Sequence, residues 1–468
     1  MPRRSGFGWA WRVPLALAGS LAAATASGYL LTRGLPLDDP LERLYAGLFG
    51  ALGVGLLLLV GGLLARDPGN FAWRLGGSCW HWAWRCGCWR GAVEVAARPL
   101  LLSLHGGAGA LFGVLLFVVL FSGAWSLGHD DLREWLRAPA QAGGEALALE
   151  RLLERAGEEG VDIGDATLLL PAPGHAAFSV CDARLDCRLD LDPASGRVLP
   201  PTPALDLLLN LHKSLFVGFP GRVLVSLFGV SLLLLCLAGV LLHSRRWRDL
   251  RRWRRDRGLR LALFDLHGLI GIWGLPWLLL FGFTGALSGL GALGTLLLAP
   301  VAYPQEPNRV FVELMGPPPP AAEGRPLASR IDLDRLLAGD AVRAPGFVAQ
   351  RLSLSHAGDV AGSVEIAGIQ RGLPSTANFE RHRYRLADGA LLGERSSAQR
   401  GFWLRAFIAV QPLHFAQYQW LGPGWSAALR GLHLAMGLGA CLLCASGLYL
   451  WLQRRASRRT PAYGSCSA

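Results

Sequence analysis

Six stretches of this chain are apolar enough and long enough to cross roughly 30 Å of hydrocarbon. They run near 12–32, 42–64, 101–127, 221–243, 264–293 and 427–452. Hydrophobic residues make up 52% of the chain and charged ones 17%, against roughly 25% charged in an ordinary soluble domain. That balance excludes intrinsic disorder, which needs the opposite. A formal net charge of +12 would suit nucleic acid if it were spread over a polar face. The 46 basic residues, all arginine except Lys213, instead bunch beside the apolar runs. Charge placed that way reports membrane topology, so the partner expected is the lipid bilayer and no nucleic acid. The chain reads as an α-helical integral membrane protein.

Arginine sets the direction of each span. Arg66, Arg74, Arg85, Arg90 and Arg98 follow the second span, nine arginines lie between Arg245 and Arg260, and Arg454, Arg455, Arg458 and Arg459 close the sixth. With Arg3, Arg4 and Arg12 they fall on one side if every span crosses, so both termini are expected in the cytoplasm. The divisions are then a transmembrane hairpin at 1–66, a cytoplasmic Trp/Cys/Arg-rich segment at 67–98 and a third helix at 99–128. An external module follows at 129–210, the fourth and fifth helices with their basic loop at 211–299, and a second external module at 300–412. A Leu-His segment with the sixth helix (413–453) and a tail (454–468) complete the chain. The basic start and Ala24-Thr-Ala-Ser27 of the first span also suit a cleavable signal peptide, which would leave the remaining topology unchanged.

Each external segment is expected to be a small separate module, a helix followed by a few antiparallel strands. Glu145–Ala156 has helical period, alternating runs follow at 166–170, 176–181 and 185–191, and Asp192-Pro-Ala-Ser-Gly196 is a turn signal. In the second segment Pro317–Pro320 reads as a stiff linker, and His382–Leu386 leads to a turn at Asp388-Gly389.

The chain also repeats itself. Leu104-His105-Gly106 matches Leu266-His267-Gly268 at an offset of 162 that holds without a gap through Ser122-Gly123-Ala124 and Thr284-Gly285-Ala286. The fourth and sixth spans match at an offset of 208, pairing Arg222 with Arg430, Gly229 with Gly437, Cys236 with Cys444 and Gly239 with Gly447. Leu211-His212 and Leu413-His414 precede them, with six extra residues in the second copy. The core is therefore expected to hold four helices in two parallel repeats, with the first two spans as an added hairpin.

Histidines at membrane depth are costly and usually functional or paired. His105 and His267 open equivalent spans on the cytoplasmic side; His212 and His414 form the equivalent outer pair. About 18 residues, roughly 27 Å of helix, separate each opening His from its Ser/Thr-Gly, so the two pairs cannot share one ligand. Two neutral imidazoles from facing helices, twice, suit haem iron with axial His ligands; two haems b are expected. Zinc fits less well, because carboxylates and thiols are scarce at matching positions. His433 lies in the sixth span where the fourth has Val225, and either ligates the outer haem in place of one of that pair or lines its pocket. His129 is a weaker candidate at the outer end of the third span. His175, His356 and His382 read as surface residues.

These motifs resemble the PepSY-associated transmembrane helix family, which includes iron-regulated inner-membrane proteins and ferric-siderophore reductases. The resemblance rests on Leu-His-Gly with its Ser/Thr-Gly, Leu211-His-Lys-Ser-Leu215, Asp265-Leu-His267, Leu413-His-Phe415 and Ser446-Gly-Leu-Tyr-Leu-Trp451, and covers about 100–455. The stretch ending Leu191-Asp-Pro-Ala-Ser-Gly-Arg-Val198 is similar to a PepSY domain. The resemblance implies four core helices, two periplasmic PepSY-like modules and, in the reductase branch, b-type haems on the span histidines. The N-terminal hairpin and His433 depart from the family pattern.

Cys181 and Cys187 flank a short loop where an oxidising compartment permits a disulfide. Cys79, Cys86 and Cys88 with His81 could bind a metal, against the plainer reading of a Trp/Arg-rich interfacial segment. No nicotinamide or flavin motif is present, so a quinol or another protein is the expected electron donor. The expected function is a membrane-bound oxidoreductase of the bacterial inner membrane that passes electrons to a periplasmic acceptor, foremost a ferric siderophore. The rivals are a membrane-anchored peptide-binding or regulatory protein and a transporter.

Overall fold

The computed structural model describes residues 7–64, 89–141, 144–172, 175–182, 187–243 and 253–459. Cys79, His81, Cys86 and Cys88 lie outside the described residues, as do the centre of the basic loop and the end of the tail. In chain order the helices begin with α1 (Phe7–Gly34), α2 (Pro40–Leu64), α3 (Trp89–Leu127), α4 (His129–Arg137), α5 (Leu149–Glu158) and α6 (Pro203–Ser214). They continue as α7 (Gly218–His243), α8 (Leu259–Trp273), α9 (Leu275–Ala302), α10 (Arg309–Met315), α11 (Leu333–Arg343), α12 (Phe402–His414) and α13 (Pro423–Arg459). The strands are β1 (Thr167–Leu169), β2 (Phe178–Cys181), β3 (Cys187–Leu191), β4 (Phe347–Ser355), β5 (Ser363–Gln370), β6 (Glu380–Arg385) and β7 (Leu391–Arg395). The chain divides into a unit of 1–122, 212–304 and 434–468 and a second unit of 123–211 and 305–433.

Six helices are long and apolar enough to cross a membrane: Pro14–Gly34, Pro40–Gly62, Leu101–Leu127, Gly218–Leu242, Leu275–Ala302 and Pro423–Ser457. This is a multi-pass membrane protein. Five spans lie close to their sequence positions. The fifth, expected over 264–293, starts later, because the helix bends between α8 and α9. Pro276 has no N–H to donate to the carbonyl four residues back, although Gly274 still bonds Ile270 O at 2.8 Å and Leu278 bonds Gly274 O at 2.9 Å. His267 consequently sits on the short α8 ahead of the membrane-crossing helix.

Within the first unit, Leu116 and Val119 of α3 interdigitate with Phe228, Leu232 and Cys236 of α7, Leu278 and Phe281 of α9, and Ala440 of α13. Helices α7 and α9 approach most closely at Gly289, where a Cβ would stand 2.4 Å from Arg222 O. The Gly289 N–H donates to Ser226 Oγ at 2.7 Å. Small residues let helices meet in this way where lipid offers no hydrophobic drive between them. The α1–α2 hairpin lies along α9, with Phe49 stacked on Phe283 at 6.0 Å.

The two separate modules expected from the sequence are instead one. A single antiparallel sheet of order β3-β2-β1-β4-β5-β6-β7 takes three strands from the first polar segment and four from the second. The join is β1 with β4, pairing Leu168 with Leu352. Leu168 of the three-residue β1 is fully buried, and the backbone of that strand is paired on both edges, with β2 and with β4. Helices α5 and α11 contribute Leu152, Leu153 and Leu336 to the same core as Val180, Leu352 and Ile366. Asp334 of α11 accepts from the Leu149 N–H of α5 at 2.8 Å. The disulfide Cys181–Cys187 links β2 to β3.

One side chain corrects the sequence reading of this region. His382 is 4% exposed rather than on the surface, because its register partner is Ile366 on the buried face. Its Nδ1 meets Asp340 Oδ1 at 2.8 Å, and Asp340 also accepts from Tyr384 Oη and from Arg343 at 3.1 Å. Burial alone would raise the Asp340 carboxyl; the bonds from His382 and Tyr384 outweigh it and hold the group below the ordinary carboxylate range. Removing one member of such a buried charged cluster costs about 3–5 kcal/mol. Asp340→Ala should therefore lower the thermal unfolding temperature markedly, whereas Arg151→Ala, which breaks an exposed pair with Glu154, should leave it nearly unchanged; calorimetry of the purified protein reads both.

Candidate functional site

The offset of 162 becomes a spatial relation in the first unit. His105 of α3 and His267 of α8 meet with ring centroids 6.1 Å apart and ring planes at 90°. Each ring also faces a glycine, and the two glycines are related by the offset of 208. A Cβ on Gly239 of α7 would stand 3.5 Å from His105 Cε1, and one on Gly447 of α13 would stand 3.1 Å from His267 Cε1. In both rings the Nδ1–Cε1 edge is turned to the flanking helix. His267 Nδ1 lies 3.0 Å from Ser446 Oγ, whose own hydroxyl reaches Leu442 O at 2.7 Å. A partner on Nδ1 is what orients a ligating imidazole and leaves Nε2 for a metal.

That geometry admits a specific chemistry. Two imidazoles brought this close could both serve as donors to one metal ion. Among the described residues no group of three or more His, Cys, Asp and Glu side chains could hold a metal.

His212 ends α6, and its Nδ1 lies 2.8 Å from Val119 O. A carbonyl only accepts, so Nδ1 carries the proton and Nε2 the lone pair of a neutral ring. Burial pushes this imidazole below its ordinary value, with the Val119 bond a smaller opposing effect. The chain leaves α6 through two left-handed residues, Leu215 at φ 48° and Phe216 at φ 63°. His414 occupies the same place at the end of α12, followed by Ala416 at φ 52°. Non-glycine residues held in this region cluster at functional sites, and here both follow a Leu-His pair. His212 belongs to the first unit, and His414 and His433 to the second. His433 is 2% exposed; its Nδ1 lies 3.2 Å from Tyr418 Oη, and its ring bonds the His414 backbone.

The remaining histidines of the second unit have other partners. His129 contacts Asp130 at 3.0 Å and Asp206 at 3.2 Å, with Arg133 on the same Asp206. His175 meets Ser179 Oγ and His356 lies near Asp165. Sequence reasoning paired the four Leu-His residues but missed Ser446 and Tyr418. Ser446 sits in a quoted motif, yet its first-copy counterpart is Ala238, and Tyr418 lies in an insertion without a counterpart.

Burial also pushes the His175 ring down, against opposing effects of Asp130 and Asp190. A histidine lowered from 6.5 in the folded chain takes up its proton on unfolding, so stability is lost as pH falls through and below that value. The unfolding temperature should drop between about pH 7.5 and pH 5, and His175→Gln should flatten the slope. An unchanged slope in that variant would contradict the assignment of a neutral His175 ring.

The sequence profile of the PepSY-associated TM region matches residues 102–454. Over 255 residues the chain is 99% identical to a Pseudomonas aeruginosa protein described as "Uncharacterized protein PA4219", a match covering 54% of this chain and 65% of that protein. Over 78 residues it is 97% identical to "Protein FptB" of the same organism, covering 17% of this chain and 84% of that protein. The chain thus spans just under two thirds of the length of the first of these relatives. With the profile running over well more than half of its residues, the chain belongs to the PepSY-associated TM region family.

Proposed function

We propose that this chain is a haem-bearing reductase of the bacterial inner membrane that passes electrons to an external acceptor, foremost a ferric siderophore. The observation that carries the proposal is the facing pair His105 and His267, 6.1 Å apart, each seated against a glycine of a flanking helix. His105 and His267 would hold the haem iron, and the bare glycine beside each ring leaves room for the imidazole itself to pack against the flanking helix.

The core is read as four helices in two parallel repeats, formed by α3, α7, α8 with α9, and α13, with α1 and α2 as an added hairpin. Recurrence of contacts at the repeat offsets supports it. His105 with Gly239 becomes His267 with Gly447. Gly289 against the Arg222 backbone corresponds to Leu127, whose carbonyl accepts from Arg430 at 2.7 Å. The arginine-rich flanks favour cytoplasmic termini, which puts His105 and His267 on the inner side and the seven-stranded sheet in the periplasm.

A bound haem would alternate between ferric and ferrous iron and so hand on one electron at a time. Ser446 would keep the His267 ring oriented, and the Val119 carbonyl would fix the His212 proton on Nδ1. By the sequence repeat, His212 and His414 are the candidates for the outer group. The apolar packing of Leu116, Phe228, Leu278 and Phe281 would keep water out of the helix core. A quinol or a partner protein would deliver electrons on the inner side; at the outer face, reducing ferric iron weakens its hold on hard oxygen ligands.

The test is electron transfer in sealed vesicles containing the purified protein, with a reduced quinol as donor, a ferric siderophore outside and a ferrous-specific chelator as reporter. Ferrous iron should form only with the protein present, and His105→Ala or His267→Ala should slow it by about tenfold or more. Formation at the protein-free rate, both with the quinol and with a low-potential chemical reductant enclosed in the vesicles in its place, would overturn the proposal.

A further inference from the structure

We infer that His433 is a positioning residue that sets the turn carrying His414; the inference rests on the haem reading above. The two copies of the repeat close the turn after their Leu-His pair differently. In the first copy the turn seats on bare backbone: a Cβ on Gly221 would stand 1.8 Å from Ser214 O. The second copy has Leu429 at the position corresponding to Gly221, and its side chain cannot occupy that space. The chain instead spends six more residues between His414 and Arg430 than between His212 and Arg222.

Those extra residues bring in Tyr418, which is 5% exposed, and His433 receives it. His433 Nδ1 lies 3.2 Å from Tyr418 Oη, while the His433 ring bonds the His414 backbone. The turn between them is held by Gln417 N–H to Pro412 O at 2.8 Å and by the left-handed Ala416. The first copy has Val225 where His433 stands, because its turn needs no polar brace. His433 Nδ1 meets Tyr418 Oη within the turn and the ring bonds the His414 backbone, and what these contacts fix is the direction in which His414 leaves α12.

The experiment compares full-length His414→Ala, His433→Asn, His433→Phe and Tyr418→Phe with the wild type, reading haem per chain, the electron paramagnetic resonance of low-spin haem, and midpoint potentials. His414→Ala should lose about half the haem. His433→Asn, which keeps a polar group at the Nδ1 position, should retain the full complement and the wild-type resonance. His433→Phe and Tyr418→Phe should retain haem but shift the resonance and potential of one haem alone. Loss of a haem in His433→Asn matching that in His414→Ala would make His433 a ligand and overturn the inference. Wild-type spectra and potentials in both His433→Phe and Tyr418→Phe would overturn it as well. A wild-type protein without haem would instead bring down the reductase reading, and this inference with it.

Discussion

Every backbone amide within hydrocarbon must find its partner inside the protein, and the chain answers this by keeping irregular backbone out of its spans. The exceptions sit at their ends. The fifth apolar stretch is interrupted where α8 passes into α9, next to Pro276, and the left-handed residues Leu215, Phe216 and Ala416 lie just after α6 and α12. All of these follow closely on one of the candidate histidines. Inside the spans, polar side chains return their bonds to the helix: Ser122 reaches Val118 O at 2.7 Å, and Ser446 reaches Leu442 O at 2.7 Å.

Duplication then supplies two equivalent histidines where a single helix would supply one. The structure keeps this equivalence where a ring meets a ring and departs from it at the margins. Ser446 contacts His267, whereas Ala238 stands at the corresponding place near His105. Leu429 in place of Gly221 forces a longer turn, and His433 replaces Val225. Such departures make two sites of one plan chemically distinct, as the proposed electron path would need if its two ends are to differ in potential.

How far the sequence carries depends on whether a property is local. Span positions follow from hydropathy, which each stretch possesses alone, and the one shifted boundary comes from Pro276, whose effect is on hydrogen bonding rather than hydropathy. The meeting of His105 and His267 followed from an offset, because symmetry turns sequence spacing into spatial relation. The single sheet did not follow. Its join pairs Leu168 with Leu352, a contact between segments separated by two spans that neither strand signals alone. His382 and Tyr384 alternate with arginines in a strand that looks polar on both faces, so their shared carboxylate, Asp340, appears only once α11 is docked. Tyr418 had no counterpart to betray it.

The central claim is that paired histidines hold haem, and the most direct measurement is the haem content of the purified full-length protein. The account predicts a Soret band, about two haems per chain, and loss of about half in His105→Ala and in His267→Ala. No Soret band despite ample haem supply, or unchanged content in both variants, would contradict it.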